Sequence, residues 1–250
     1  MHPIERLRFV ARGSGGSVRD AVEDTASALA TFSGDPQALV TACRRIVSRQ
    51  PGIAPLVHLC ARVLTAPDPG REAWRVAEEI AEDPTPRELA LAWPDDACVC
   101  VIGWGDQLAG ALHRRGDLDV LVADAPGGGS AFVSRLLRAD VPAEDVREGR
   151  LGAAVAACDL VVLDPQAVGP THSLAVAGSL AAAAVAKHQS TPVWLVAGAG
   201  RVLPQRMWDP LVAGAIPPQR APWEVEVEQV PHDLIDVVVG PHGTETVAEM

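Results

Sequence analysis

The sequence predicts an α/β fold: a helical N-terminal region followed by a Rossmann-like parallel sheet domain flanked by helices. Three observations lead there. Residues 98–102, 118–123, 160–163 and 193–197 are short apolar runs of strand length, separated by helical patterns. Strands apolar on both faces that alternate with helices belong to a parallel sheet covered on both sides. Ahead of them, residues 1–93 carry helix-period patterns broken by proline and glycine, which sets a helical domain over 1–93 and the sheet domain over 94–250. With 250 residues and 48% hydrophobic content, the chain has enough apolar material to bury a full core.

Each element has a local cause. Ser17 or Ser14 caps a first helix that runs to Phe32, with Val18, Ala21, Val22, Thr25 and Leu29 on one side. Asp35-Pro36 starts a second: a capping residue, then proline at the first helical position. Leu39, Val40, Cys43, Ile46 and Val47 form its apolar face, and Pro51-Gly52 stops it. Residues 53–64 resume as an apolar helix that tolerates Pro55 in its first turn. Pro67-Asp68-Pro69-Gly70 breaks the chain again before a more polar helix over 71–82, built around Trp74, Val76 and Ile80. Residues 83–96 read as a linker or a bent helix. Between the strands, helices are expected at 107–114, 131–138, 151–157 and 173–188. The last is rich in alanine and so should approach the sheet closely, with Ser173 as its N-cap. Residues 223–229 alternate apolar and acidic, the pattern of a half-exposed strand. Residues 234–239 form another apolar run.

Composition excludes several function classes. The net charge of −11 sets a repelling field against a nucleic-acid backbone, so no nucleic-acid partner is expected. The arginines at 12, 19, 44, 45 and 49 read as solvated helix faces. No apolar run spans a bilayer, residues 174–186 being too short, and the first residues lack an apolar secretory core. A cytoplasmic protein with no membrane partner is expected. Lys187 is the only lysine and tyrosine is absent, which reads as the codon bias of a GC-rich genome. The cysteines at 43, 60, 98, 100 and 158 are odd in number and scattered, unlike a disulfide framework. Cys98 and Cys100 alternate with valines and share one strand face. No second Cys/His pair has ligand spacing, so these are small buried hydrophobes and no metal is expected.

The candidate ligand residues lie where strands give way to helices. Gly103, Trp104, Gly105 and Asp106 form the first such turn, where backbone N–H groups suit a phosphate. Asp124, ending the next strand, is placed like a ribose-binding acid. Together they allow a Rossmann NAD(P)-dependent oxidoreductase, although Leu108 and Ala109 stand where the fingerprint has its third glycine and Trp104 crowds the turn. The plain alternative is a tight turn with no cofactor. Gly127, Gly128, Gly129 and Ser130 form a second anion cradle or simply a flexible loop; they lack the Lys-Ser/Thr ending of a phosphate-binding P-loop. Asp159 and Asp164 flank the strand at 160–163, and Asp164-Pro165 reads as a turn former.

Several segments together resemble the alpha, beta and delta regulatory subunits of translation initiation factor 2B and their enzyme relatives, methylthioribose phosphate isomerase and ribose bisphosphate isomerase. SRQPGIAPLVHL, residues 48–59, resembles the family's "Arg-Pro-x-x-Ala-Pro-Leu-x-Asn-Leu" helix. Residues 158–198 are similar to its longest signature: "Val-Asp-x-Val-x-Val-Gly-Ala-Asp-Ala-Ile", "Asn-Lys-x-Gly-Thr", an alanine-rich helix ending in Ala-Lys, and "Pro-Val-Tyr-Val-Ala". VPHDLIDVVVGPHG, residues 230–243, resembles the closing "Thr-Pro-x-x-Leu-Ile-x-x-x-x-Thr-Glu-x-Gly". The resemblance implies dimerisation through the α/β domain.

The departures carry the functional expectation. In the isomerases the aspartate of Gly-Ala-Asp transfers protons, and Gln166 stands at the matching position; an amide does not exchange protons as a carboxyl does. The Asn-Lys pair falls on Ala175 and Val176, and Gly178-Ser179 keeps only the Gly-Thr part. The isomerase cysteine belongs in the first βα turn, whereas Cys100 lies further back in the strand. Glu-Ser-Arg-Pro becomes Ala123-Asp124-Ala125-Pro126, which loses the phosphate-facing arginine, and the closing Thr-Glu becomes Gly240-Pro241. The expectation is a non-catalytic initiation-factor-2B-like protein, with no catalytic residue and no cofactor, that forms a homodimer. It binds a small phosphorylated sugar or nucleotide, a partner subunit, or both. The expected ligand mouth comprises residues 103–106, Asp124, residues 127–130, Gln166 and Ser179, with backbone N–H groups holding the anion. The alternatives are the oxidoreductase and an active aldose–ketose isomerase acting on a ribose phosphate, in which Asp124 or Asp164 replaces the missing carboxylate and Cys100 reaches the pocket.

Overall fold

A computed structural model of the chain describes residues 17–124 and 128–249. The N-terminal part is helical. Helix α1 (Val18–Ala30) is capped by Ser17, whose hydroxyl accepts the Asp20 amide at 3.1 Å. Helix α2 (Pro36–Arg49) starts at the expected Asp35-Pro36 pair. Helix α3 (Ala54–Thr65) follows, and α4 (Pro69–Ala81) begins two residues before the predicted start. Asp68-Pro69 there repeats the Asp35-Pro36 device: the Asp68 carboxylate accepts the Arg71 amide at 3.0 Å and proline occupies the first turn. Val22, Leu29, Leu39, Ile46, Leu56, Leu59, Val63 and Val76 bury the contact faces of these helices in one cluster. Trp74 is not part of it and stands half exposed.

Residues 83–96 contain a helix, α5 (Thr85–Ala92), preceded by a polar junction. Asp83 accepts from the Thr85 amide at 2.9 Å and its hydroxyl at 2.6 Å, from Gln107 Nε2 at 2.6 Å and from the Ala199 amide at 2.7 Å. One carboxylate therefore joins the start of α5 to two loops of the sheet region.

The main sheet has seven strands: β1 (Cys98–Ile102), β2 (Asp119–Asp124), β3 (Ala143–Arg147), β4 (Leu160–Leu163), β7 (Val193–Val196), β9 (Val237–Gly240) and β10 (Gly243–Glu245), in spatial order β10-β9-β7-β4-β1-β2-β3. All pairings are parallel except β9 with β10. Val99, Val101, Val120, Val122 and Val162 pack on α5, α6 (Asp106–Leu112) and α7 (Gly129–Leu137). Cys100, Ile102, Val161, Leu163 and Leu195 pack on α8 (Leu151–Ala157) and α9 (Ser179–Gln189). Cys98 and Cys100 do share a face, in contact with the cluster that holds Cys158.

The predicted helix over 173–188 is corrected. Residues His172–Val176 form strand β6, which pairs with β5 (Ala167–Val168) and β8 (Val227–Pro231) in a second, antiparallel sheet. The helix begins only at Ser179, after Gly178 turns the chain through a left-handed conformation. Two neighbouring strands decide the state of a segment whose alanine content favours helix. Ser173 is accordingly no N-cap; it is buried in the strand and its hydroxyl bonds His232 Nε2 at 3.0 Å. The tail strand is β8, later than the predicted 223–229, with residues Pro222–Glu224 forming a short 3-10 turn. Strand β3 and helix α10 (Gln205–Ala215) have no counterpart in the sequence reading. Among the described residues no helix is long and apolar enough to cross a membrane.

Two outcomes follow. Asp83→Ala removes four hydrogen bonds to one carboxylate and is expected to lower the unfolding free energy by about 2–4 kcal/mol, measured by urea denaturation. His232 is buried, its Nδ1 has no partner among the described residues, and burial together with the neighbouring His172 pushes its pKa below the usual 6.5. The neutral ring therefore contributes stability that is whole above pH 6.5 and is lost as pH falls toward the lowered value. His232→Gln should flatten the decline in unfolding free energy between pH 7 and 5.5.

Candidate functional site

Sheet connectivity marks the position. From β1 the chain moves one way to β2 and β3, and from β4 the other way to β7 and β9, so the order reverses between β1 and β4. Ligands of open α/β sheets bind outside the carboxyl ends at such a reversal. Here that crevice has a volume of about 250 Å³ and lies between the end of β1 (Gly103, Trp104, Gly105), the end of β4 (Asp164, Pro165, Gln166) and the helical region (Val18, Gly52, Ile53, Pro55). A neighbouring cavity of about 350 Å³ is lined by Ser17, Arg19, Asp83, Asp106 and Gln107 among others, and Arg201 lines both.

The carboxylate of Asp164 dominates the crevice. Its Oδ2 accepts the Gly105 amide at 2.5 Å, and its Oδ1 is in contact with Arg201 Nη1. The same guanidinium nitrogen donates to the Pro165 carbonyl at 2.6 Å. The two side chains are 2% and 8% exposed, so this is a buried ion pair. Backbone bonds fix the Arg201 loop: Val168 N–H donates to the Arg201 carbonyl at 2.9 Å, and Leu203 N–H to the Val168 carbonyl at 2.8 Å. Strand β5 thus sets where the guanidinium sits. The glycines of the first turn serve this arrangement. Gly103 has φ +91°, and a Cβ there would meet the Asp164 carbonyl at 2.8 Å. A Cβ on Gly105 would collide with the Asp164 carboxylate itself.

The sequence-predicted residues divide into groups. Gly103, Trp104, Gly105 and Gln166 line the crevice together. Gln166 lies against the helical region, its Oε1 being 2.7 Å from where a Gly52 Cβ would stand. Asp106 is exposed on the neighbouring cavity. Gly128 caps α7 and abuts the Trp104 indole, 2.9 Å from a hypothetical Cβ; Gly129 is buried and Ser130 exposed in the first turn of α7. Asp124 ends β2 at the same sheet edge. Gly127 lies outside the described residues. Ser179 is buried at the start of α9, its hydroxyl without a hydrogen-bond partner among the described residues, and it does not line the crevice. Cys100 points into the opposite sheet layer, where contact with Cys158 and burial raise its pKa well above that of a free thiol.

Two readings of the mouth are corrected. The turn former Asp164 is its principal anion, and the mouth expected to hold an anion through backbone N–H groups contains a buried arginine. Arg201 follows Gly198 and Gly200 after β7, the same strand-then-glycine pattern that drew attention to residues 103–105, so a signal for it was present. The helical contributors Val18, Ile53 and Pro55 were not among the expected ligand residues, because only tertiary packing brings them to the sheet edge.

Solved structures share this architecture. The Pyrococcus horikoshii OT3 translation initiation factor eIF-2B aligns over 98% of this chain and 96% of its own, with TM-score 0.79 and 12% identity. The fold is that of the eIF-2B subunits. A chain of the tetrameric eIF2B-beta2-delta2 complex from Chaetomium thermophilum gives TM-score 0.74 at 16% identity over 99% and 91% of the two chains. The eIF2B beta of that organism gives 0.72 at 16% identity over 98% and 86%. No protein-family model and no curated protein matches the chain. In this chain the helical region lies over the sheet edge at the crevice.

Removing one partner of a buried ion pair leaves a charge uncompensated. Arg201→Ala should therefore lower stability by about 3–5 kcal/mol. The double variant Asp164→Ala/Arg201→Leu should recover part of that loss, because no stranded charge remains; chemical denaturation of the three proteins reads this directly.

Proposed function

We propose that this chain is a non-catalytic member of the initiation-factor-2B-like group that works by assembling with another subunit, in the simplest case a second copy of itself. The observation that carries the reading is the chemistry of the crevice. Proton relay in an aldose–ketose isomerisation needs a carboxyl or thiol free to exchange protons beside the substrate. Gln166 occupies the matching position as an amide, the Asp164 carboxylate is committed to Arg201 and the Gly105 amide, and Cys100 faces the other sheet layer. Among the described residues, no side chain lining the crevice is left with that capacity.

Support for assembly comes from the fold's relatives, one of which was solved as a tetrameric beta2-delta2 complex. The phosphorylated metabolite of the sequence reading finds less support. It relied on free N–H groups at two glycine turns; the Gly105 amide is engaged by Asp164, and the Trp104 ring lies against Gly128. The reading favoured here keeps the partner.

Two measurements test it. Purified protein should give no turnover of a pentose phosphate above the uncatalysed rate, and Gln166→Asp alone should stay inactive because Asp164 still holds the turn. Sedimentation should show a dimer. Pentose phosphate turnover, or a monomer at all concentrations that associates with no eIF-2B-type subunit, overturns the proposal.

A further inference from the structure

The crevice contains an anion of its own. The geometry points to Asp164 as a built-in occupant of the seat formed by the Gly105 amide and the Arg201 guanidinium: it makes the crevice refuse phosphate and phosphate esters, and its removal turns the same seat into a phosphate site.

Four observations support this. First, one Asp164 oxygen takes the Gly105 N–H while the other takes the Arg201 guanidinium, so a single carboxylate bridges a backbone donor and a cation as a bound oxyanion would. Second, the seat is enclosed: the Asp164 and Arg201 side chains are 2% and 8% exposed. Third, Arg201 uses only Nη1 in its hydrogen bonds among the described residues, to Asp164 and Pro165. Its Nη2 lies 3.1 Å from where a Gly105 Cβ would stand, and the residue lines both cavities. A guanidinium has five N–H donors and no acceptor, so the unused ones suit oxygen atoms of a ligand. Fourth, the two cavities together are bordered by Asp83, Asp106 and Asp164 against Arg19 and Arg201, a charge balance that repels anions. Replacing Asp164 by alanine deletes one negative charge, frees the Gly105 N–H and the Arg201 Nη1 hydrogen not given to Pro165, and joins the vacated volume to about 250 Å³ of existing space.

Glycine 105 is part of the device. Its missing Cβ is what lets the carboxylate reach the amide. The inference concerns ligand selection and goes beyond the non-catalytic reading; it also stands if the protein proves monomeric.

The test uses inorganic phosphate as probe against sodium chloride at matched ionic strength, with thermal unfolding as readout. The wild type should unfold at the same temperature, within about 1 °C, in both salts. Asp164→Ala should be less stable than wild type in chloride and should regain about 3–6 °C in phosphate at saturating concentration. Asp164→Ala/Arg201→Leu should show no such gain. If Asp164→Ala does not fold, Asp164→Ser, which also vacates the seat and keeps a short polar group at the turn, should gain phosphate stabilisation that the added Arg201→Leu change removes. Wild-type stabilisation by phosphate that Arg201→Leu abolishes overturns the inference, as does a folded Asp164→Ala, or failing that Asp164→Ser, indifferent to phosphate. Phosphate binding by the wild type without pentose phosphate turnover would sink this inference alone; turnover would sink the functional reading.

Discussion

The bridge from the Gly105 amide through the Asp164 carboxylate to the Arg201 guanidinium links three loops that leave three different strands, β1, β4 and β7. It fixes the mouth of the sheet at the place where the order of strands reverses, and it does so with groups withdrawn from water. Two opposite charges in such a setting gain little net stability over apolar residues, but each is costly without the other. The pair therefore acts as a constraint more than as a source of stability. Glycine is required at 103 and 105 because this carboxylate and its own backbone approach so closely, and β5 is positioned so that its backbone steadies the arginine loop.

The helical region completes the crevice. Val18, Gly52, Ile53 and Pro55 close one side, and Asp83 ties the junction to the loops after β1 and β7. The amide of Gln166 is pressed against Gly52, so this side chain faces a loop of the helical region. Internal contacts thus engage both Asp164 and Gln166, the two polar side chains that follow β4 at the crevice.

Much of this architecture could be read from residue patterns. Continuous apolar runs such as CVCVI and LVVL disclosed the parallel strands, and the Asp35-Pro36 pair disclosed a helix start, because both signals are local. The second sheet was not legible. HSLAV has no strong strand pattern and runs into alanines, so its state depends on pairing with segments at 167–168 and 227–231 that are distant in sequence. Strand β3, AEDVR, was hidden by its charges. Within the site, the glycine turn and Gln166 were visible as departures from a family pattern. The commitment of Asp164 was not, since a Leu-Asp-Pro sequence gives no hint of an arginine 37 residues later.

Strand β3 carries a consequence of its own. It forms one rim of the large sheet, and Glu144, Asp145 and Arg147 are exposed along it. Exposed rims of sheets invite other chains to add on, and ionic side chains discourage this. At the opposite rim the short β10 folds back antiparallel on β9. The sheet is thus finished at both borders, which directs any association of this protein toward its helices and loops rather than toward continuation of its backbone ladder.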